Sequence, residues 1–348
     1  MRMVLSLSGE ARQSSGRYTN KEAGNTYTDK MKQKAALVLS GGGARGIAHI
    51  GVVEELVKKG FEITSVSGTS MGAVVGGVYA LGKMEEYKNW LFSLDKIKLF
   101  SLVDFSFSTQ GLVKGDKLLN TIKTFIPDAN IEDLSIPYAA IAADIINKKE
   151  VVFTKGSIFD AIRASMAIPT VFTPVKTENG LLIDGGIINN MPINHVKRTP
   201  NDILIAVNVN ADIPVDKPVI EKIETPAEQS VYQKKIKDFY NQLHILSPSN
   251  GEEKLGYFNL INKALSLMAY QMTQMSLENY SPDIIVNISR HSCGTFDFYK
   301  AEELVEIGRH AAVKSLEAYI PPKKQSIDRL TKFLKLRKSP GRVPGSSF

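Results

Sequence analysis

Ile63-Thr64-Ser65-Val66-Ser67-Gly68-Thr69-Ser70-Met71-Gly72-Ala73-Val74-Val75-Gly76-Gly77-Val78 is the stretch that decides the fold. Residues 63–67 read as a short buried strand, and the small and apolar residues from Ala73 through Leu81 as a buried helix. Gly68-x-Ser70-x-Gly72 lies at the junction. A serine held there stands on a sharp turn, exposed above a sheet, and glycines on either side let neighbouring backbone approach without clash. It also begins a helix, whose unpaired N–H groups favour developing negative charge. Ser70 is therefore a candidate nucleophile. The five-residue pattern alone arises by chance in many proteins; its place between a strand and a helix gives it weight.

Upstream, Ala35 to Ser40 is a second apolar run suited to a buried strand. It stops at Gly41-Gly42-Gly43-Ala44-Arg45-Gly46, and a helical pattern follows through Ile47, Ile50, Val53, Leu56 and Val57 to Gly60. Consecutive glycines present backbone N–H groups with no side chain in the way, a cradle for phosphate or for the oxyanion of a tetrahedral intermediate. The Gly-Lys-Ser/Thr ending of a nucleotide P-loop is missing. Gly41, Gly43 and Gly46 do match G-x-G-x-x-G, but a dinucleotide fold wants an acidic residue at the end of the second strand, and Ser67-Gly68-Thr69-Ser70 supplies none. Downstream, the apolar run Gly180 to Ile183 leads into Asp184-Gly185-Gly186. Alone this reads as a tight turn; beside the other two motifs it makes Asp184 the candidate base.

Strand–loop–helix followed by strand–turn–helix is the alternation of a mainly parallel sheet with helices on both faces. The remaining pattern predicts mostly helix and loop over 84–135, clearest from Gly115 to Ile126. A hairpin follows, from Tyr138–Ile146 and Glu150–Thr154, turning near Asn147-Lys148-Lys149. A helix is predicted over Ile158–Met166, a strand over Ile203–Val209 and a long helix over 255–280. A last strand at Asp283–Ile288 and a closing helix at Lys300–Tyr319 complete the pattern. Residues 1–34 read as a mobile leader, 35–322 as one catalytic domain with a surface insertion at 214–250, and 323–348 as a basic tail.

The three motifs in this order resemble the patatin-like phospholipase family, whose pattern is a G-G-G-x-R/K-G loop, a G-x-S-x-G elbow and a D-G-A/G element. The likeness runs from about Ala35 to Tyr319 and includes Arg45-Gly46-x-Ala48-His49-x-Gly51-Val52 and Ala164-Ser165-x-Ala167-Ile168-Pro169. The resemblance implies a three-layer α/β/α fold and a serine lipid acyl hydrolase in which Ser70 and Asp184 form a dyad. It further implies that the N–H groups of Gly42, Gly43 and Ala44 form the oxyanion hole. Arg45 would orient the loop, and Gly41, Gly46, Gly68, Gly72, Gly185 and Gly186 would support the motifs. An aspartate is a weak base beside a histidine, so Asp184 is expected to be partly desolvated. The substrate class implied is a lipid or phospholipid ester, with no cofactor. The rival is a non-catalytic lipid-binding scaffold that keeps these residues.

The net charge of +7 resides in the tail, where Lys323 to Arg342 holds eight basic residues against Asp328. The catalytic body is thus neutral, and a nucleic-acid partner loses its support. Ile327, Leu330, Phe333 and Leu334 recur at helical spacing in this tail, leaving a membrane-surface helix and a solvated tail both open. The lone Cys293 allows no internal disulfide, and no apolar run nears a membrane span. The reading is cytoplasmic, with peripheral membrane contact open; oligomeric state is not encoded. His49 is read as structural, His195 as the rival base, and His244, His291 and His310 as ordinary surface or packing residues. No spacing suggests a metal. Met268, Met272 and Met275 are read either as core or as the lining of an acyl groove.

Overall fold

Strand β1 (Gln33–Leu39) sends Ala35, Leu37 and Leu39 into one core and Ala36 and Val38 into another, with all five fully buried. A strand apolar on both sides belongs to a parallel sheet covered on both faces. The computed structural model describes residues 32–94, 98, 102, 115–169, 171–216 and 257–320. The predicted 1–34 leader up to residue 31, most of the 214–250 insertion and the basic tail therefore lie outside the described residues.

β1 is joined in one sheet by β2 (Phe61–Thr69), β3 (Tyr138–Asp144), β4 (Lys149–Phe153), β5 (Val175–Lys176), β6 (Leu181–Asp184), β7 (Ile203–Ala211) and β8 (Ile284–Ser289). The order is β5-β6-β3-β2-β1-β7-β8, with β4 also paired to β3. The four pairings from β3 through β2, β1 and β7 to β8 are parallel; those of β4 and β6 with β3, and of β5 with β6, are antiparallel. Two-residue β5 is the element that the sequence pattern did not announce, being too short to carry a period. The helices are α1 (Ala48–Lys58), α2 (Met71–Ala80), α3 (Met84–Phe92), α4 (Asp116–Lys123), α5 (Ile158–Ser165), α6 (Tyr257–Tyr280) and α7 (Ala301–Ala318). One sheet face is covered by α1, α2 and α7. The other is covered by residues 191–196 with Leu277 of α6. The result is the expected three-layer α/β/α arrangement.

The pairing around β3 brings distant parts of the chain together. β2 pairs with residues 138–141 of β3, and β6 pairs with 142–144. β4 spans 140–144 and so occupies the opposite edge. β6 therefore takes up the same edge of β3 where β2 leaves it. The register sets Thr69 beside Ile141 and Asp184 beside Ala142, so the C-terminal ends of β2 and β6 meet.

The layer made by residues 189–197 is irregular, and its carbonyls need donors if they are to be buried. β2 supplies them from alternate positions, which share one face of a strand. The Ser65 hydroxyl donates to Lys197 O, Ser67 to Pro192 O at 2.8 Å and Thr69 to Asn189 O at 2.8 Å. Ser67→Ala removes one of two hydrogen bonds to the buried Pro192 carbonyl, which keeps the His195 N–H, and is expected to lower stability by about 0.5–1.5 kcal/mol, read as a shift of the urea midpoint at unchanged m-value.

Candidate active site

The turn between β2 and α2 is set by close backbone approach. A Cβ at Gly68 would run into the backbone of Gly72, and one at Gly72 into the Leu39 and Ser40 carbonyls ending β1. Between them Ser70 adopts φ 55°, ψ −124°, outside the ordinary regions for a side-chain-bearing residue. Such a conformation costs about 1–3 kcal/mol and persists only when its surroundings enforce it. Ser70 is 5% exposed. Its N–H donates to the fully buried Ser165 Oγ at 2.9 Å, and its carbonyl accepts the Ala73 and Val74 N–H groups of α2.

Asp184, 6% exposed at the end of β6, accepts the Gly186 N–H on Oδ1 at 2.7 Å, and the Ser70 hydroxyl lies close enough to favour its charged form. Its own N–H donates to Ala167 O at 3.0 Å. Burial pushes this carboxyl up from the usual carboxylate range to about 6, against the opposing pull of the Ser70 hydroxyl and the Gly186 N–H. The two residues singled out by separate motifs are thus brought together at the meeting ends of β2 and β6.

The glycine loop lies over them. A Cβ at Gly41 would stand 3.1 Å from Ser70 Cβ. The Gly41 N–H donates to Asn190 O at 3.1 Å, and its carbonyl accepts Asn210 Nδ2 at 2.6 Å. Arg45 donates through Nε to Val209 O and through a terminal guanidinium nitrogen to Asn210 Oδ1, both at 3.1 Å, and so ties the loop to the end of β7. Gly43 has φ +58° and packs on Thr295. The N–H groups of Gly42 and Gly43 make no backbone hydrogen bond to another described residue. The Ala44 N–H, by contrast, donates to Thr295 O at 2.9 Å. Of the three amides expected to form the oxyanion hole, Ala44 is thus the one with a partner, while Gly42 and Gly43 are the ones carried into the proposal below.

The remaining polar candidates stand elsewhere. His195 pairs with Glu150 at 2.9 Å. His49 is fully buried with Nε2 2.8 Å from Ser40 O, and burial lowers its pKa to about 4; it is a neutral strut between α1 and the end of β1. His291 and His310 lie near Asp212 and Asp216, and His244 lies outside the described residues. Burial pushes the Cys293 thiol up to about 12, far from a reactive thiolate. Met268 and Met275 are exposed on α6 and so are not core.

Sequence reading did not single out Ser165, Asn190, Asn210, Thr273 or Thr295. Ser165 falls within the quoted Ala164–Pro169 stretch, but its role needs the fold. Asn190 joins three parts of the site: its backbone carbonyl holds Gly41, its Nδ2 donates to the buried Thr273 hydroxyl of α6 at 2.9 Å, and its Oδ1 approaches Gly186. Neither asparagine lies in a local pattern that would have marked it.

Comparison with known proteins shows the family of the chain. Residues 37–197 match the patatin-like phospholipase family model. An uncharacterized NTE family protein of Mycobacterium tuberculosis is 30% identical over 331 residues, spanning 82% of this chain and 92% of the relative. The chain belongs to the patatin-like phospholipase family. A lysophospholipase of Candida glabrata, NTE1, is 26% identical over 79% of this chain, which matches 16% of that longer protein. The crystal structure of VipD from Legionella pneumophila superposes with a TM-score of 0.41 at 14% identity, over 83% of this chain and 67% of that one. Family membership makes the chain a lipid hydrolase by class. No described helix is long and apolar enough to cross a membrane.

Burial of Asp184 has a consequence for stability. A carboxyl whose folded pKa lies near 6, above its ordinary value near 3.9, binds its proton more tightly when folded, so its contribution is most favourable below about pH 4 and is lost as pH rises through 6. Asp184→Asn removes the buried charge. The variant is expected to be more stable than the parent at pH 8 by about 1–3 kcal/mol, with the gap closing toward pH 4 in paired thermal melts.

Proposed function

We propose that this chain hydrolyses fatty-acyl esters of lipids through a Ser70–Asp184 dyad and an acyl-enzyme, as a phospholipase A or lysophospholipase. The observation that carries the reading is the meeting of the β2 and β6 ends, which sets buried Ser70 beside a buried carboxyl whose pKa is raised into the working range of a general base. Ser70 Oγ attacks the acyl carbonyl while its proton passes to Asp184. The tetrahedral oxyanion is stabilised by the Gly42 and Gly43 N–H groups, each such donor typically worth about 3–4 kcal/mol. The alcohol then leaves with the proton held by Asp184. Water, deprotonated by the same carboxylate, attacks the acyl-enzyme; the bond to Ser70 Oγ breaks, Oγ takes the proton back from Asp184, and the fatty acid is released.

Ser70→Ala is expected to abolish turnover of a nitrophenyl acyl ester, and Asp184→Asn to reduce kcat at least about 100-fold, with both chains folded by circular dichroism. The parent rate should fall on an acid limb centred near pH 6, where Asp184 takes up its proton. Retained hydrolysis by Ser70→Ala refutes the assignment. Failure of a fluorophosphonate to label the parent favours the non-catalytic scaffold instead.

Lipid esters are met at an interface, and α6 offers a surface suited to one. Leu260, Leu267, Met268 and Met275 are exposed along one side of it, Leu267 by 59% and Met275 by 51%, and no charged residue occurs from Ala264 to Leu277. The opposite side carries Thr273, bonded to Asn190 of the site. Replacing Leu267 and Met268 together by Gln is expected to lower hydrolysis of phosphatidylcholine vesicles several-fold. Turnover of a soluble short-chain ester should stay unchanged; an equal loss on both substrates counts against peripheral contact through α6.

A further inference from the structure

Ser70 and Asp184 come from strands over a hundred residues apart in sequence, yet both main chains are held by one short segment. Ser165 Oγ accepts the Ser70 N–H at 2.9 Å, and Ala167 O accepts the Asp184 N–H at 3.0 Å. The Ser70 N–H has no partner within α2, since the residue stands at the N-cap of that helix. Ser165 is fully buried, so no water replaces it if its hydroxyl is removed. The peptide linking Thr69 to Ser70 must also hold its orientation for φ to remain at 55°. Rotation there would swing Oγ away from the carboxylate, and a displacement of about 1 Å at a reacting atom can cost on the order of 100-fold in rate.

We propose that Ser165 is a positioning residue for the nucleophile, fixing the Ser70 backbone so that Ser165 and Ala167 together set the separation of Ser70 from Asp184. This rests on the dyad reading above. Nothing in the arrangement requires Ser165 to touch substrate: its oxygen is engaged by the main chain of the nucleophile, behind the reacting atom.

The test compares Ser165→Ala and Ser165→Thr in the full chain with a soluble nitrophenyl acyl ester. Ser165→Ala is expected to lower kcat about 100-fold with KM within about threefold of the parent. Its acid limb should remain near pH 6, because Asp184 keeps its burial and its own bond to Ala167. Ser165→Thr retains the acceptor oxygen and is expected to recover kcat to within about tenfold of the parent. The proposal is overturned if folded Ser165→Ala keeps the parent kcat. It is equally overturned if the acid limb drops to the ordinary carboxylate range, since the loss would then lie in the burial of the base. Should Ser165→Ala not fold, Ser165→Thr decides alone: activity supports the role of the oxygen, and a folded, inactive protein refutes it. Labelling of the parent by a fluorophosphonate separates the two levels. An unlabelled parent removes the dyad itself, whereas a labelled parent with fully active Ser165→Ala removes only the positioning role.

Discussion

One edge of β3 is shared by two strands, and the site depends on that arrangement. β2 pairs along it up to Ile141 and β6 begins at Ala142, running the other way. A parallel and an antiparallel neighbour on one edge deliver two C-terminal ends to the same place. One ends in the elbow that lifts Ser70, the other in Asp184. The parallel core holds the elbow rigidly, because Gly72 sits against the carbonyl end of β1 with no room for a side chain. The antiparallel pairing of β6 then fixes the carboxyl relative to it. Hydrogen-bonded sheet registers are discrete, so the two groups meet in a defined place.

Two unfavourable features are concentrated at this meeting point: a non-glycine residue with positive φ and a carboxyl taken out of water. Neither is stable in isolation. Each is held by bonds from parts of the chain with no choice of position. Ser165 and Ala167 leave the end of α5, Gly186 follows Asp184 directly, and the Gly41 loop is clamped between Asn190 and Asn210. In the proposed reaction, oxyanion stabilisation needs donors that are fixed before charge develops. The Arg45 contacts with the end of β7 fix the glycine loop in that sense.

The layer opposite α1, α2 and α7 shows how polar residues within a strand can serve packing. Ser65, Ser67 and Thr69 interrupt the apolar run of β2, yet they are buried. Their hydroxyls satisfy carbonyls of an irregular segment that runs on from Asp184. The chain can therefore pass directly from Asp184 to Asn190 and cover this part of the sheet with short 3-10 turns, α6 supplying the helix of the layer. α6 closes over the turn that follows Asp184, joined to Asn190 through Thr273.

Most elements were legible because their periods are strong. β1, the Gly68–Gly72 elbow, α2, the hairpin turning after Asp144 and the long helix α6 all follow from apolar spacing and glycine placement. β5 was not legible, since two residues hold no pattern. The partner of the Ala44 amide was not legible, because a glycine-rich loop reveals how many N–H groups it carries, not which of them another segment bonds; Thr295 lies some 250 residues away and bonds that one. What the sequence by itself determined was the chemistry on offer: a serine on a strand-to-helix turn, an aspartate at a strand end, and a loop of bare amides. Their meeting, the burial that raises the Asp184 pKa, and the roles of Ser165, Asn190 and Asn210 were decided only by the tertiary structure. Pairing on a shared edge of β3 and desolvation are properties of assembled strands, and no local run of residues encodes them.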